Sequence, residues 1–207
     1  MSELSQRPDN LLLAALPPEE RNRLDPFLTR VELAVGDEMT IPGQPIESLY
    51  FPIDAVSSTV HEMADGSTIE TGLMGIEGLV GVQVWLRQSE TPAHTFIQVP
   101  GAALKISTTN FIREIRDRPS SPLNDLVARY VHAFLVLTSL TAACNRLHSV
   151  DHRMCRWLRM TYNRAWRTVF PLRHEFLAQM LGVHRPTLST AASMLQKAGL
   201  ITYGTAD

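Results

Sequence analysis

Cys144, His148 and His152 stand four residues apart, and Cys155 follows three residues later. On one unbroken helix that spacing lines thiolate and imidazole groups along a face, the donor set of a soft metal ion. The competing reading is a break near Ser149–Asp151, which parts the set and leaves His148 and Asp151 as hinge or interface contacts. His61 and His94 fall in β-like runs with no second ligand beside them and read as surface or hydrogen-bonded core histidines. Enzyme chemistry has little to build on. The chain has neither a nucleophile elbow nor a His-Glu-x-x-His pair, and the adjacent carboxylates Glu19-Glu20 and Asp37-Glu38 diverge rather than converge on a substrate. Two cysteines without a Cys-x-x-Cys pair argue against a disulfide-stapled secreted fold and fit a reducing cytoplasm.

The stretch 173–197, RHEFLAQMLGVHRPTLSTAASMLQK, carries the sharper signal. Its spacing predicts a helix holding Phe176, Leu177, Ala178 and Leu181, a turn at Gly182, and a second helix holding Leu188, Ala191, Ala192 and Leu195. Ala178 is small where a second helix must cross closely, and Gly182 supplies the positive φ between the helices. These are the requirements of a helix-turn-helix. His184, Arg185, Pro186 and Thr187 open the second helix, with Pro186 preset for a first helical turn. Side chains at that end of a recognition helix reach base edges in the major groove. Arg185 is the candidate for bidentate contact to guanine, with a phosphate contact as its alternative; Thr187, Ser189 and Thr190 suit a thymine methyl or a phosphate. Arg173, His174 and Lys197 suit the DNA backbone.

Charge supports that reading. The net charge of −2 conceals an asymmetry: residues 1–144 carry 10 Lys/Arg against 18 Asp/Glu, and residues 145–207 carry nine against three. The last third is therefore net +6 before its four histidines are counted. A basic block of this kind gains affinity for nucleic acid by releasing condensed counterions, whereas the alternative is a solvated basic face.

These residues need elements to position them. Leu11–Leu16 followed by Pro17-Pro18 predicts two short helices, and the N-terminus lacks the long apolar core of a signal peptide. From Val31 to about Ile106, short apolar runs separated by Gly, Pro and Asp turns predict an all-β segment, with Asp65-Gly66 suited to a tight hairpin. Gly72, Gly75, Gly78 and Gly81 recur every third residue without the Lys-Ser/Thr of a phosphate loop and read as bends at barrel corners. From Leu123 to Leu147 the period is helical. One apolar stripe runs Leu123, Val127, Tyr130, Phe134, Leu137, Thr141, Cys144; another runs Leu126, Tyr130, Ala133, Leu137, Leu140, Cys144, Leu147. Two stripes need cover on two sides, by the β segment and by the same helix of a second subunit; a core helix of a monomer is the other reading. The stretch without charge is too short for a membrane span.

The order of β-roll, long helix and helix-turn-helix, with GLITY after the recognition helix, resembles the Crp/Fnr superfamily of bacterial transcription regulators. Similar stretches are PPEERNRL, GIEGLVGV followed by QVPGAALKI, AACNRLHSVDHRMCRWL and HEFLAQMLGVHRPTLS with LQKAGLI. The resemblance implies a cytoplasmic homodimer on a two-fold symmetric site in double-stranded DNA, with RNA polymerase a candidate further partner. It also implies an effector pocket near Gly72, Gly81, Val82, Thr91 and Pro92. In cyclic-AMP-binding members a Glu follows the cassette glycine and an Arg-Ser pair comes later; here those places hold Val82 and Thr91-Pro92, so nothing there neutralises a cyclic phosphate. Cyclic AMP is not the expected effector. The family's iron–sulfur sensors use four cysteines, which excludes that cluster for a single chain with two. Pro186 and Thr190 replace a Glu and an Arg of the family's recognition helix, implying a different operator. ITYGTAD ends where a second wing strand would begin, so either the wing is lacking or the chain is truncated.

The sequence thus predicts an α+β chain: a jelly-roll-like antiparallel β-roll sensor over 1–118, a dimerisation helix over 119–147, and a winged-helix-type DNA-binding module with a truncated wing over 148–207. The alternative function is a dimeric sensor or interaction protein whose DNA module is impaired, with metal responsiveness through the Cys/His set.

Overall fold

The computed structural model describes residues 9–204. Two short helices, α1 (Leu11–Ala14) and α2 (Pro18–Leu24), cap a β-roll. Asn10 starts α1: its side-chain oxygen accepts from the Leu12 and Leu13 amides, and its amide group donates to the Pro52 and Gly78 carbonyls at 2.8 and 3.1 Å. One buried side chain therefore stitches the cap to two loops of the roll.

Seven strands follow: β1 (Thr29–Leu33), β2 (Glu38–Thr40), β3 (Ser48–Pro52), β4 (Val56–Glu62), β5 (Thr68–Met74), β6 (His94–Val99) and β7 (Gly101–Ser107). They form an antiparallel three-stranded sheet in the order β1-β7-β3 and an antiparallel four-stranded sheet in the order β2-β6-β4-β5. β2 is the strand the sequence pattern does not announce, because its three residues are too few to show alternation. The β4–β5 connection spans residues 63–67 rather than two. Its Gly66 has φ +79°, and the Asp65 carboxylate accepts from the Ser67 amide and hydroxyl.

Three more helices continue the chain: α3 (Thr108–Asp117), α4 (Pro122–Leu147) and α5 (Val150–Ala165). Ser107 and Ser121 cap the first two through their hydroxyls. The main core lies between the three-stranded sheet and the helices, where Leu49, Phe51 and Ile106 meet Leu13, Leu24, Phe111, Leu123 and Val127. The stripe Leu123, Val127, Tyr130, Phe134, Leu137, Thr141, Cys144 is thereby corrected as a dimer seam. Leu123, Val127, Tyr130 and Thr141 are buried within this one chain, and Phe134 packs on the roll. The face left to solvent is Ala133, Val136, Leu140, Ala143 and Leu147, spaced three and four apart.

Of the recurrent glycines, the corner reading is corrected at Gly72 and holds at Gly75 and Gly81, which lie at a bend and a turn. A Cβ on Gly72 would stand 2.7 Å from the Phe134 ring of α4, and one on Gly75 2.5 Å from Cβ of Arg164 on α5. Gly72, inside β5, is a place where a helix presses on the sheet rather than a barrel corner; Gly75 is both a bend directly after β5 and a place where α5 packs closely. Only Gly81 of the four has a positive φ, at +86°.

Candidate nucleic-acid interface

The two predicted helices of the motif are α6 (His174–Met180) and α7 (Arg185–Lys197). Gly182 adopts φ +59° between them, as the turn requires. Leu177, Ala178, Leu181, Leu188, Ala191, Ala192 and Leu195 form one buried cluster with Met154 and Trp157 of α5. Three helices thus share a core that fixes the crossing of α6 and α7, as the small residues Ala178, Ala191 and Ala192 allow.

α7 presents its start to solvent. Arg185, Pro186, Thr187 and Thr190 are exposed, with His184 as the residue before the first turn. The Arg185 guanidinium pairs through Nε with Oε1 of Glu175 at 2.8 Å, the two side chains being 65% and 60% exposed. Sequence reasoning missed Glu175. The two residues lie ten apart, and only the crossing of α6 and α7 brings them together. Thr190 donates to the Pro186 carbonyl at 3.1 Å. Ser189 is half-buried, and its hydroxyl lies 3.4 Å from Nδ1 of His174, whose ring packs edge-on against Tyr203. Ser189 and His174 therefore brace α6 against α7 rather than reach outward. Arg173 and Lys197 stay exposed. A shallow groove beside α7, lined by Val150, Asp151, Thr187 and Met194, separates it from the first turn of α5. The Ser149 hydroxyl holds the Asp151 carboxyl below the usual carboxylate range.

Part of the basic block faces inward. Arg164 pairs with Glu77 and Arg167 with Asp54, each at 2.6 Å. Arg153 donates to the Leu181 carbonyl, and Arg156 to the Thr141 hydroxyl. The charge asymmetry of the sequence therefore has two sources: cations on the α7 face, and cations that tie α5 to α4, α6 and the roll. The seam is completed by Phe96 of β6 edge-on to Phe176 of α6, and by Gln179 of α6 donating to Thr68 of β5 at 2.7 Å.

The Cys/His set does not come together. α4 ends at Leu147, His148 and Ser149 are extended, and α5 starts at Val150, so Cys144 and His148 lie across a break from His152 and Cys155. His148 and His152 meet edge to face with ring centres 6.1 Å apart, and Nδ1 of His152 is 2.9 Å from the Ser149 hydroxyl. Among the described residues no group of three His, Cys, Asp or Glu could hold a metal ion. His94 sits 3.1 Å from Glu38. The effector-pocket residues are engaged in packing: Gly72 against Phe134, Gly81 against Ile46 and Leu49, and Val82 in the main core. The Thr91 hydroxyl accepts from the Ala93 amide, and Pro92 is exposed.

A β-roll, a long helix and a helix-turn-helix in this order make up a Crp/Fnr-type fold. Residues 152–206 match the family model of the Crp-like helix-turn-helix domain. The c-di-GMP-responsive global regulator CLP of Xanthomonas campestris superposes with a TM-score of 0.70 at 18% identity, over 91% of this chain and 96% of that one. FixK2 from Bradyrhizobium japonicum gives 0.71 at 13%, over 86% and 89%. A CRP-family transcriptional regulator from Thermus thermophilus gives 0.67 at 15%, over 86% and 88%. At these identities the likeness is one of fold. No curated protein sequence matches the chain.

Proposed function

We propose that the chain is a cytoplasmic transcription regulator that binds a two-fold symmetric site in double-stranded DNA as a homodimer, with the β-roll receiving a signal. The observation that carries this is the exposed N-terminal end of α7, where Arg185, Thr187 and Thr190 project from a helix whose other face is locked into the module core. That arrangement suits insertion into a major groove. Arg173 and Lys197 then hold phosphates.

The dimer reading rests on α4. Contrary to the expectation from its charge-free stretch, the helix has 26 residues and a mean hydropathy of 1.5 over its most apolar window, enough by length and composition to cross a membrane. One face is committed to the β-roll, so the apolar excess belongs to the exposed stripe, with Leu140 54% and Leu147 76% exposed. A second copy of α4 covers such a stripe as in a coiled coil. RNA polymerase remains a partner suggested by resemblance alone, and the effector is not cyclic AMP on the Val82 and Thr91-Pro92 substitutions.

The second reading, a dimeric sensor with an impaired DNA module, draws on Glu175, whose carboxylate already engages the Arg185 guanidinium. Fluorescence anisotropy on a random-sequence duplex separates the two. The regulator binds at low salt, and log affinity falls linearly with log salt as phosphates are neutralised. No binding at low salt supports the sensor reading.

A further inference from the structure

Where the β-roll meets the DNA-binding module, a carboxyl group is buried. Glu70 lies on β5, is 4% exposed, and borders a small cavity closed by Trp157 and Met160 of α5 and Thr141 of α4. Oγ of Ser58 on β4 stands 2.5 Å from Oε2 of Glu70 and 2.5 Å from Oε1 of Gln98 on β6. Gln98 in turn donates from Nε2 to the Thr161 hydroxyl of α5.

A serine hydroxyl has one hydrogen and cannot donate it to two oxygens at once. Each of the three contacts has one donor and one acceptor when the carboxyl is protonated: Glu70 donates to Ser58, Ser58 to Gln98, and Gln98 to Thr161. When Glu70 is ionised it accepts from Ser58 instead. The Gln98 amide must then turn over, so that its NH₂ donates to Ser58 and its oxygen accepts from Thr161. The proton on Glu70 therefore sets the direction of a hydrogen-bond relay that crosses from the sheet into α5. We propose that Glu70 is a proton-binding site, and that its proton, through the Ser58–Gln98–Thr161 relay, strengthens the seating of the DNA-binding module on the β-roll.

Arg156 and Arg164 of α5 favour the ionised form, as do the Ser58 hydroxyl and the Trp157 indole N–H. Arg153 of α5 and Cys144 of α4 border the same cavity, to which α6 brings only Met180 and Leu181. Each guanidinium is engaged elsewhere: Arg164 on Glu77, Arg156 on Thr141, and Arg153 on the Leu181 carbonyl. Desolvation outweighs them all, and the carboxyl is pushed up to about 7.

The direction of the pH effect follows by linkage. Lifting α5 returns Glu70 to water and to the ordinary carboxylate value of 4.5. The seated state then holds the proton more tightly than the lifted one. Seating is favoured most below that value and weakens as pH rises through about 7; from about pH 6 to pH 8 the lifted-to-seated ratio rises about tenfold.

The test uses the full chain and no DNA, so its outcome is independent of the proposed function; any effect of seating on DNA affinity rests on that function. Carboxyl ¹³C NMR follows Glu70, and amide exchange in β5 and α5, corrected for its intrinsic pH dependence, follows lifting. The expected result is a Glu70 midpoint near 7 and about tenfold more lifting at the higher pH. Glu70→Gln places an N–H where the acid has its O–H and removes the pH dependence of lifting. Should that variant fail to fold, Ser58→Ala removes the hydroxyl that donates to the carboxylate and raises the midpoint further. A midpoint in the ordinary carboxylate range, or pH-dependent lifting that survives Glu70→Gln, overturns the proposal.

Discussion

In the proposed regulator, Arg185 is the residue on which sequence specificity turns. If it reads a base, Arg185→Ala lowers affinity for the preferred site by about 1–3 kcal/mol and relaxes the preference at one position, whereas a uniform loss over all sequences marks a phosphate contact. Anisotropy on matched and mismatched duplexes distinguishes the two. Glu175 tempers that arginine through an exposed ion pair. Glu175→Gln frees the guanidinium and removes a negative charge beside the groove, so affinity rises at low salt by less than about 1 kcal/mol and the gain shrinks as salt is added. Arg185 was legible from its place in the motif. Glu175 was not, because a turn and a crossing angle make the pair, and neither is written in the spacing. Gly75 carries a prediction of another kind. Its missing Cβ lets Arg164 of α5 approach, so Gly75→Ala forces the helix off the end of β5 and lowers stability in chemical denaturation by about 1–3 kcal/mol. A neutral result contradicts the close approach.

At the scale of elements, α4 shows what periodicity reveals and what it leaves open. Its two apolar stripes were visible in the sequence, and so was the need for cover on two sides. Which stripe faces which neighbour was not, since that depends on where the three-stranded sheet lies. The stripe beginning at Leu123 is seated on the roll as far as Phe134; of the second stripe Leu126 and Tyr130 pack on the roll as well, and Ala133, Leu140 and Leu147 face outward. The two predict opposite phenotypes. Leu140→Glu shifts the sedimenting species toward monomer with little effect on the stability of the single chain. Leu123→Ala opens a cavity and costs about 2–5 kcal/mol of stability. Equal behaviour of the two variants contradicts this assignment. A break near Ser149–Asp151 was one of two readings of the sequence; it falls after Leu147 and parts the aligned Cys/His set.

At the scale of the molecule, the order of roll, helix and helix-turn-helix was legible because each part has its own period and punctuation. The seam between roll and module was hidden. β4 is buried on nearly its whole length because it has the roll on one face and α5 on the other, a pattern that reads locally as an ordinary core strand. Arg164, Arg167 and Glu70 look like surface charge in sequence, yet their partners lie far along the chain. In the proposed homodimer, a change in how roll and module sit on this seam is what alters the separation of two recognition helices across a DNA turn. The most direct test of the central claim is selection of the purified full chain against a randomised duplex pool, followed by sequencing. The account predicts an enriched site with two-fold symmetry and half-sites about one helical turn apart, about 10 base pairs centre to centre. A pool that stays random after repeated rounds contradicts it.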